Sequence, residues 1–349
     1  MTTDFDKEFA KLQDAPRLLL EAGLKPAQGD RFQPTGFADL GAAKYTTPAN
    51  KQMLLVESAQ SVANRLERAV IDGDGVDLIE NLRGLPYVKV TLTGQGVGVV
   101  TSSLVEAHRL NSPFIVTNGQ FATPFLAKSG YKKGQVIDWR KAAAAVCYFD
   151  PGALLHGVFF ANIEDGRLRF PRALTGFIEA SDVMEAGSGG VKNNHFDPSG
   201  EIRAEGYDKD VYSNVPYPRL EFTAKDIRAY FNLDLALMRG YGLPTAAQRL
   251  LVALALFKVR RFLDLGLRLR TACDLVIRES LRATAPEEFT VPSTNALQTI
   301  LHDKLIPAAR NEKDLLAPEV LELTTNTVLK AKKDKAKSAD ARPEDEANE

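Results

Sequence analysis

Arg167-Leu-Arg-Phe-Pro-Arg-Ala-Leu-Thr-Gly-Phe-Ile-Glu-Ala180 is the stretch on which the reading of this 349-residue chain turns. Leu168 and Phe170 alternate with Arg167, Arg169 and, past Pro171, Arg172. Successive side chains of an extended strand point to opposite faces, so the pattern predicts a strand with one apolar and one basic side. Leu174, Phe177 and Ile178 carry the apolar content onward, and then the pattern stops. From Gly187 to Tyr217 the residues are mostly glycine, asparagine, charged and turn-forming types, which bury little. The expectation is a basic strand feeding a long polar projection, a surface suited to a polyanion. In that projection Gly187, Gly189 and Gly190 let backbone amides approach a phosphate. Lys192, Asn193, Asn194 and His195 can donate hydrogen bonds to phosphate or base edges.

Two further donor rows lie outward of this stretch. Thr46-Thr-Pro-Ala-Asn50 is expected to start a helix whose apolar stripe is Leu55, Ala59, Val62, Leu66 and Ala69. Gln60, Asn64 and Glu67 recur at the same period as a polar row, with Arg65 and Arg68 beside it. The third row is Arg260, Arg261, Arg268 and Arg270. Any one of these rows also fits a solvated face or pairing with nearby carboxylates.

The totals narrow the classes. Formal net charge is -1, which argues against a protein that simply coats DNA. The charge is uneven, however. Residues 128–172 hold eight Lys/Arg against four Asp/Glu, and residues 239–282 hold nine against three, which permits a basic groove on a nearly neutral body. Hydrophobic content of 44% supports a core, and the longest apolar run, Leu250 to Phe257, is far short of a membrane span. No signal peptide is visible at the N-terminus, and Cys147 and Cys273 read as buried thiols. The expectation is a soluble cytoplasmic protein without a membrane partner.

Cofactor and metal signals fail on context. Gly94-Gln-Gly-Val-Gly sits between two strand-like runs and opens no helix, and Gly187-Ser-Gly-Gly-Val-Lys lacks the Gly-Lys-Ser/Thr order of a phosphate loop. Asp72, Asp74 and Asp77 miss the calcium-loop spacing. His108, His156, His195 and His302 do not pair at metal-ligand spacing, and there is no Cys-x-x-Cys. No cofactor, metal or catalytic residue is assigned. His195, in the polar projection, is the one histidine placed to act as a base in an alternative reading.

The element order mixes strands and helices, which predicts an α+β or split βαβ fold with insertions. Residues 1–30 are read as an N-terminal helical extension, with Pro16 in the first turn of a helix from Asp14. Residues 31–330 form the body. Its parts include strands at 86–93 and from Gly94, a short helix from Ser103 and an irregular 111–135 connection. Lys141–Phe149 is left as helix or strand. Leu155–Ala161 is read as a strand, with Asp165-Gly166 as a hairpin turn. A projecting loop at about 181–219 is followed by helical territory at about 224–284 and a last short helix after Thr290. Residues 331–349 are read as a disordered charged tail.

Seven stretches carry a resemblance. They are Arg31-Phe-Gln-Pro-Thr-Gly-Phe-Ala-Asp-Leu-Gly, Glu57-Ser-Ala-Gln-Ser-Val-Ala-Asn-Arg-Leu-Glu, Ser112-Pro-Phe-Ile-Val-Thr, Arg169-Phe-Pro-Arg-Ala-Leu-Thr-Gly-Phe-Ile-Glu-Ala, Ser188-Gly-Gly-Val-Lys-Asn, Tyr230-Phe-Asn-Leu-Asp-Leu and Arg268-Leu-Arg-Thr-Ala-Cys-Asp-Leu. In this order they resemble the backbone subunit of the CRISPR surveillance complex (Cascade) of type I-U or I-G, in the RAMP superfamily. The family's usual polar residue near Val62 appears here as valine.

The resemblance implies an RNA-recognition-motif-like (ferredoxin-like, split βαβ) palm with a thumb-like projection and helical insertions. It implies a non-catalytic subunit whose copies oligomerise along the spacer of a CRISPR RNA and present it for pairing with target DNA. Its partners would be that RNA, target DNA through the RNA, other copies of itself, the large subunit, an RNA-processing and cap subunit, and a recruited helicase-nuclease. The residues expected at RNA are Gln60, Asn64, Arg65, Arg167, Arg169, Arg172, Lys192, Asn193, Asn194, His195, Arg260, Arg261, Arg268 and Arg270. Two alternatives stay open: a metal-independent CRISPR RNA-processing endoribonuclease using His195, and an interaction protein that does not bind nucleic acid.

Overall fold

The strand that anchors the sheet is Arg17–Pro26, where the sequence predicts a helix. Leu18, Leu20, Ala22 and Leu24 are all buried, every second residue on one face. Pro16 immediately precedes the strand's first residue, a position where its missing N–H costs no ladder bond. The computed structural model describes residues 4–37, 40–73, 75–94, 98–196, 214–318 and 320–326. The expected charged tail at 331–349, much of the Gly94 turn and residues 197–213 of the projection lie outside them.

Arg17–Pro26 lies in a seven-stranded sheet ordered Leu267–Arg270, Cys273–Ala285, Arg17–Pro26, Val215–Asp234, Leu174–Lys192, Gln52–Glu57, Lys44–Thr46. Every neighbouring pair is antiparallel. Four of these strands and two helices alternate along the chain as strand, helix, strand, strand, helix, strand: Arg17–Pro26, Ala59–Arg68, Leu174–Lys192, Val215–Asp234, Thr245–Asp264 and Cys273–Ala285. In the sheet those four strands stand in the order fourth, first, third, second.

The projection is corrected by the structure. Leu174–Lys192 and Val215–Asp234 form one long hairpin whose register holds without a slip from Leu174 opposite Leu233 to Lys192 opposite Val215. The expected loop from 181 and the expected helix from 224 are therefore both strand. Other strands flank the hairpin only as far as Ser181 on one side and Ile227 on the other. Beyond them it continues as a two-stranded ribbon, tied back by a bridge between Phe32 and Phe222. Outward of the buried Glu221 and Phe222 the ribbon has no buried side to impose alternation, which is why its sequence looks like loop.

The expected helix at 267–284 is corrected too: it is the outer strand pair Leu267–Arg270 and Cys273–Ala285. Cys273, Leu275, Leu281 and Ala283 are buried, but irregular pairing with Arg17–Pro26 breaks the alternation between them. The reading of 245–265 as helix holds: Thr245–Asp264 runs through the core with thirteen of its twenty side chains buried. Lys141–Phe149 falls within the helix Trp139–Phe149. Gly152–His156 is also helical, so the expected strand from Leu155 shrinks to Val158–Phe159. That short strand pairs with Arg169–Phe170, and the expected hairpin turn at Asp165-Gly166 lies between them. Ser103 opens turns instead of a helix, while the 111–135 connection contains the helices Pro113–Val116 and Gly119–Ser129. Val88–Leu92 pairs with Val99–Ser102 and Leu321–Thr325 in a separate small sheet. Both cysteines are buried and free. No helix among the described residues is long and apolar enough to cross a membrane.

The helix Ala59–Arg68 starts later than expected, after the strand Gln52–Glu57, with the Ser58 hydroxyl accepting from the Ser61 amide. Its seat is Glu57, whose carboxylate is wholly buried. The Ser61 hydroxyl and the Arg270 guanidinium donate to that carboxylate, and Arg65 Nε donates at 2.8 Å. Arg65 also donates to the Leu269 carbonyl and Arg270 to the Gln33 carbonyl. Removing one partner of a buried charge cluster leaves the others uncompensated. Glu57→Gln is expected to lower the unfolding free energy by about 3 kcal/mol, read as a drop in urea midpoint at unchanged slope.

Candidate nucleic-acid interface

The outer face of the Ala59–Arg68 helix forms one wall of a groove. Val62, Ala63 and Leu66 pack inward, so Gln60, Asn64 and Arg68 face solvent. Gln60 Nε2 donates to Asn64 Oδ1 at 3.0 Å, which aligns the two amides along the helix. The second wall is the turn region 104–113, carrying His108 and Arg109. The third is the segment from Gly157 to Arg172, which contains the short hairpin. Between these walls lie two depressions of about 330 and 550 Å³ that share Ala107 and Arg109. Arg172 donates to Gln60 Oε1 and so joins the first wall to the third.

Two predicted rows therefore meet here. Gln60 and Asn64 come from the helix, and Arg169 and Arg172 from the basic stretch. Arg169 stacks its guanidinium 4.0 Å from the ring centre of Phe159, an exposed aromatic. Sequence reasoning missed Arg109. Its backbone is left-handed at φ 52°, and its guanidinium grips Glu67 through two bonds of 2.6 and 3.0 Å while donating to the Gly157 carbonyl at 3.1 Å. It thus links the helix, the 104–113 turns and the start of the short hairpin. No local pattern announces such a residue. The nearest signal is Ser112-Pro-Phe-Ile-Val-Thr, just downstream. Gly157, at φ 80°, is where the third wall crosses Phe170: a Cβ there would stand 2.9 Å from the Phe170 carbonyl oxygen.

Beneath the groove lies a buried polar cluster. Lys258 Nζ is 2.8 Å from His156 Nε2, and the Ser103 hydroxyl donates to Asp150 at 2.8 Å. Burial and the nearby positive charges of Lys258, Arg109 and Arg172 hold the His156 imidazole neutral, well below its usual pKa. Burial pushes Asp150 up, opposed by Ser103 and Lys258. Burial also lowers Lys258 to about 8, against the pull of Glu67 and Asp150. Burial lowers Arg172 as well, and Arg109 beside it pushes the same way, so two guanidinium charges converge on one groove.

The remaining predicted residues lie elsewhere. Arg65 and Arg270, from different rows, close on Glu57. Arg260 donates to the Pro292 and Val291 carbonyls, and Arg261 to the Ala69 carbonyl. Arg167 pairs with Asp165 and donates to the Gln135 carbonyl, securing the short hairpin's turn. Arg268 is exposed on the outermost strand. Lys192, Asn193, Asn194 and His195 sit at the far end of the long hairpin, with the Asn194 amide donating to Asn214 Oδ1 at 2.7 Å. Lys192 lies eighteen residues along its strand from Leu174, roughly 60 Å at about 3.3 Å per residue. The two basic ends of the molecule therefore cannot hold the same nucleotide. Among the described residues no group of three or more His, Cys, Asp or Glu is placed to hold a metal ion.

The family model described as "CRISPR-associated protein GSU0053" matches residues 18–185, just under half of the chain. Among solved structures, a chain of a "CRISPR RNA-guided surveillance complex, pre-nicking" is similar at 12% identity and TM-score 0.39, over 75% of this chain and 74% of that one. The crystal structure of Thermofilum pendens Csc2 is similar at 8% identity and TM-score 0.30, over 90% and 86%. No curated protein matches the chain.

The buried lysine makes a pH prediction. In the unfolded chain Lys258 keeps its proton to about pH 10.4; in the fold it loses it near 8. Between these values the unfolded state binds more protons, so the group's contribution to stability rises with pH, by up to about 1.4 kcal/mol per pH unit. Denaturant melts of the wild type and Lys258→Met at pH 7.5, 8.5 and 9.5 should diverge along that slope. Parallel curves would show that Lys258 titrates normally.

Proposed function

From the premise that residues 18–185 carry the signature of the CRISPR-associated GSU0053 family, we propose that this chain is an RNA-binding, non-catalytic backbone subunit of a CRISPR surveillance complex. The observation that carries the proposal is the groove: Gln60, Asn64 and Arg172, predicted from separate stretches, line adjoining depressions together with Arg109 and His108, and Arg169 stacks on Phe159 in the lining of the larger one. Amide and guanidinium donors in a shallow groove, with an exposed aromatic at one end, suit the backbone and bases of single-stranded RNA.

The fourth-first-third-second strand order, with the Ala59–Arg68 and Thr245–Asp264 helices as its two crossovers, supports the split βαβ, RNA-recognition-like palm. In this reading residues 31–330, joined by the Arg17–Pro26 strand, form the palm and its insertions. The long hairpin is then the thumb. Its ribbon exposes Met184, Val191, Val215, Tyr217 and Leu220. Apolar side chains on a narrow arm support contact with protein, here the next copy along the RNA. Lys192 and His195 would meet nucleic acid or the neighbour at that distance. Arg65, Arg260, Arg261 and Arg270 serve the fold, since their guanidiniums are taken up by Glu57 and by backbone carbonyls.

Binding of CRISPR RNA across a salt series tests the reading. Arg172→Gln and Arg169→Gln should each weaken binding and reduce the log–log salt slope by about one. Arg65→Gln should lower thermal stability while leaving affinity of the folded protein unchanged. Unchanged affinity and slope in the first two variants would sink the groove assignment. Cleavage of repeat RNA in EDTA that disappears in His195→Ala would favour the endoribonuclease instead.

A further inference from the structure

Resting on the RNA reading, we propose that the larger depression of the groove is a subsite for one nucleotide of single-stranded RNA, its base stacked on the Phe159–Arg169 platform and its phosphate held between Arg172 and His108. Three independent observations converge there. The depression is concave, about 550 Å³, lined by His108, Asn111, Phe159, Asn162 and Arg172. At its edge the Arg169 guanidinium already lies 4.0 Å from the centre of the Phe159 ring, with Phe159 40% exposed. Every nucleobase has a face that such a pair can hold, and Arg adds a cation–π contribution.

The third observation is a hydrogen-bond donor without an acceptor. His156 lines the depression and is only 2% exposed. The Lys258 ammonium can only donate, so His156 Nε2 accepts from it. A neutral imidazole then carries its proton on Nδ1, and that atom is buried with no partner among the described residues. Buried donors are nearly always satisfied, and because Nδ1 has no accessible surface in the free protein, a ligand acceptor reaches it only as the wall of the depression yields on binding. A base carbonyl or a phosphate oxygen supplies one. Lys258 is therefore a positioning residue: it sets the tautomer that leaves Nδ1–H free to donate.

The experiment uses the full-length protein, a short single-stranded RNA carrying 2-aminopurine, uridine 5′-monophosphate and inorganic phosphate. Stacking on Phe159 should quench the 2-aminopurine. Phe159→Leu should reverse that quenching and weaken RNA binding at least about fivefold, with the salt slope kept because no charge is lost. Uridine 5′-monophosphate should compete for the subsite much better than inorganic phosphate and should move the His156 Nδ1 resonance in nitrogen-15 spectra. Competition by phosphate equal to that of the nucleotide would reduce the subsite to an anion site and overturn the proposal. So would wild-type quenching in Phe159→Leu, or an unmoved His156 resonance. Loss of RNA affinity in Arg172→Gln alongside any of these outcomes would leave the broader RNA reading standing, whereas RNA affinity indifferent to Arg172 would remove both.

Discussion

Glu57 is a carboxylate with no access to water, and a charge in that position persists only if it is fully paired. Its partners come from two places: Ser61 and Arg65 on the helix that follows it, and Arg270 on the outermost strand at the far side of the sheet order. Two antiparallel strands five positions apart in one sheet reach a common carboxylate only if the sheet curls, bringing Gln52–Glu57 toward Leu267–Arg270. The clasp and the curl require each other. The Leu269 carbonyl accepts a further bond from Arg65 and the Gln33 carbonyl one from Arg270, and both side chains keep partial access to water for their other donors.

What the clasp positions is the helix Ala59–Arg68, and the helical period then divides its polar residues by role. Ser61 and Arg65, four apart, face Glu57. Gln60 and Asn64, also four apart but about 100° around the axis, face the groove. Adjacent residues that look alike in a string of polar side chains thus serve folding and binding respectively. Arg109 performs the equivalent task for the other walls, since its grip on Glu67 and the Gly157 carbonyl holds the 104–113 turns and the short hairpin at a set distance from the helix.

The cluster beneath the groove shows how burial alters chemistry without a metal-like arrangement of ligands. Lys258 is the one charged side chain among the thirteen that the helix Thr245–Asp264 buries, and a lysine there is tolerated because Asp150, Glu67 and His156 surround it. The result is a histidine kept neutral close to two arginines, a polar but uncharged feature in a cationic wall.

The sequence by itself determined the residue chemistry. The basic alternation at 167–172, the amide row at Gln60 and Asn64, the apolar run that became Thr245–Asp264 and the Asp165-Gly166 turn were all legible, because each is a local pattern with a local cause. The long strands were not. Arg17–Pro26 and Cys273–Ala285 carry residues that suit helices equally well, and only cross-strand pairing decided for extension. Outward of Phe222 the hairpin has no buried face, so nothing in its composition distinguishes ribbon from loop. The tertiary structure also sorted the arginines. Arg65 and Arg270 differ from Arg169 and Arg172 in where their partners lie, 204 residues away in the case of Arg65 and Leu269, and a contact across that separation leaves no trace in the neighbouring sequence.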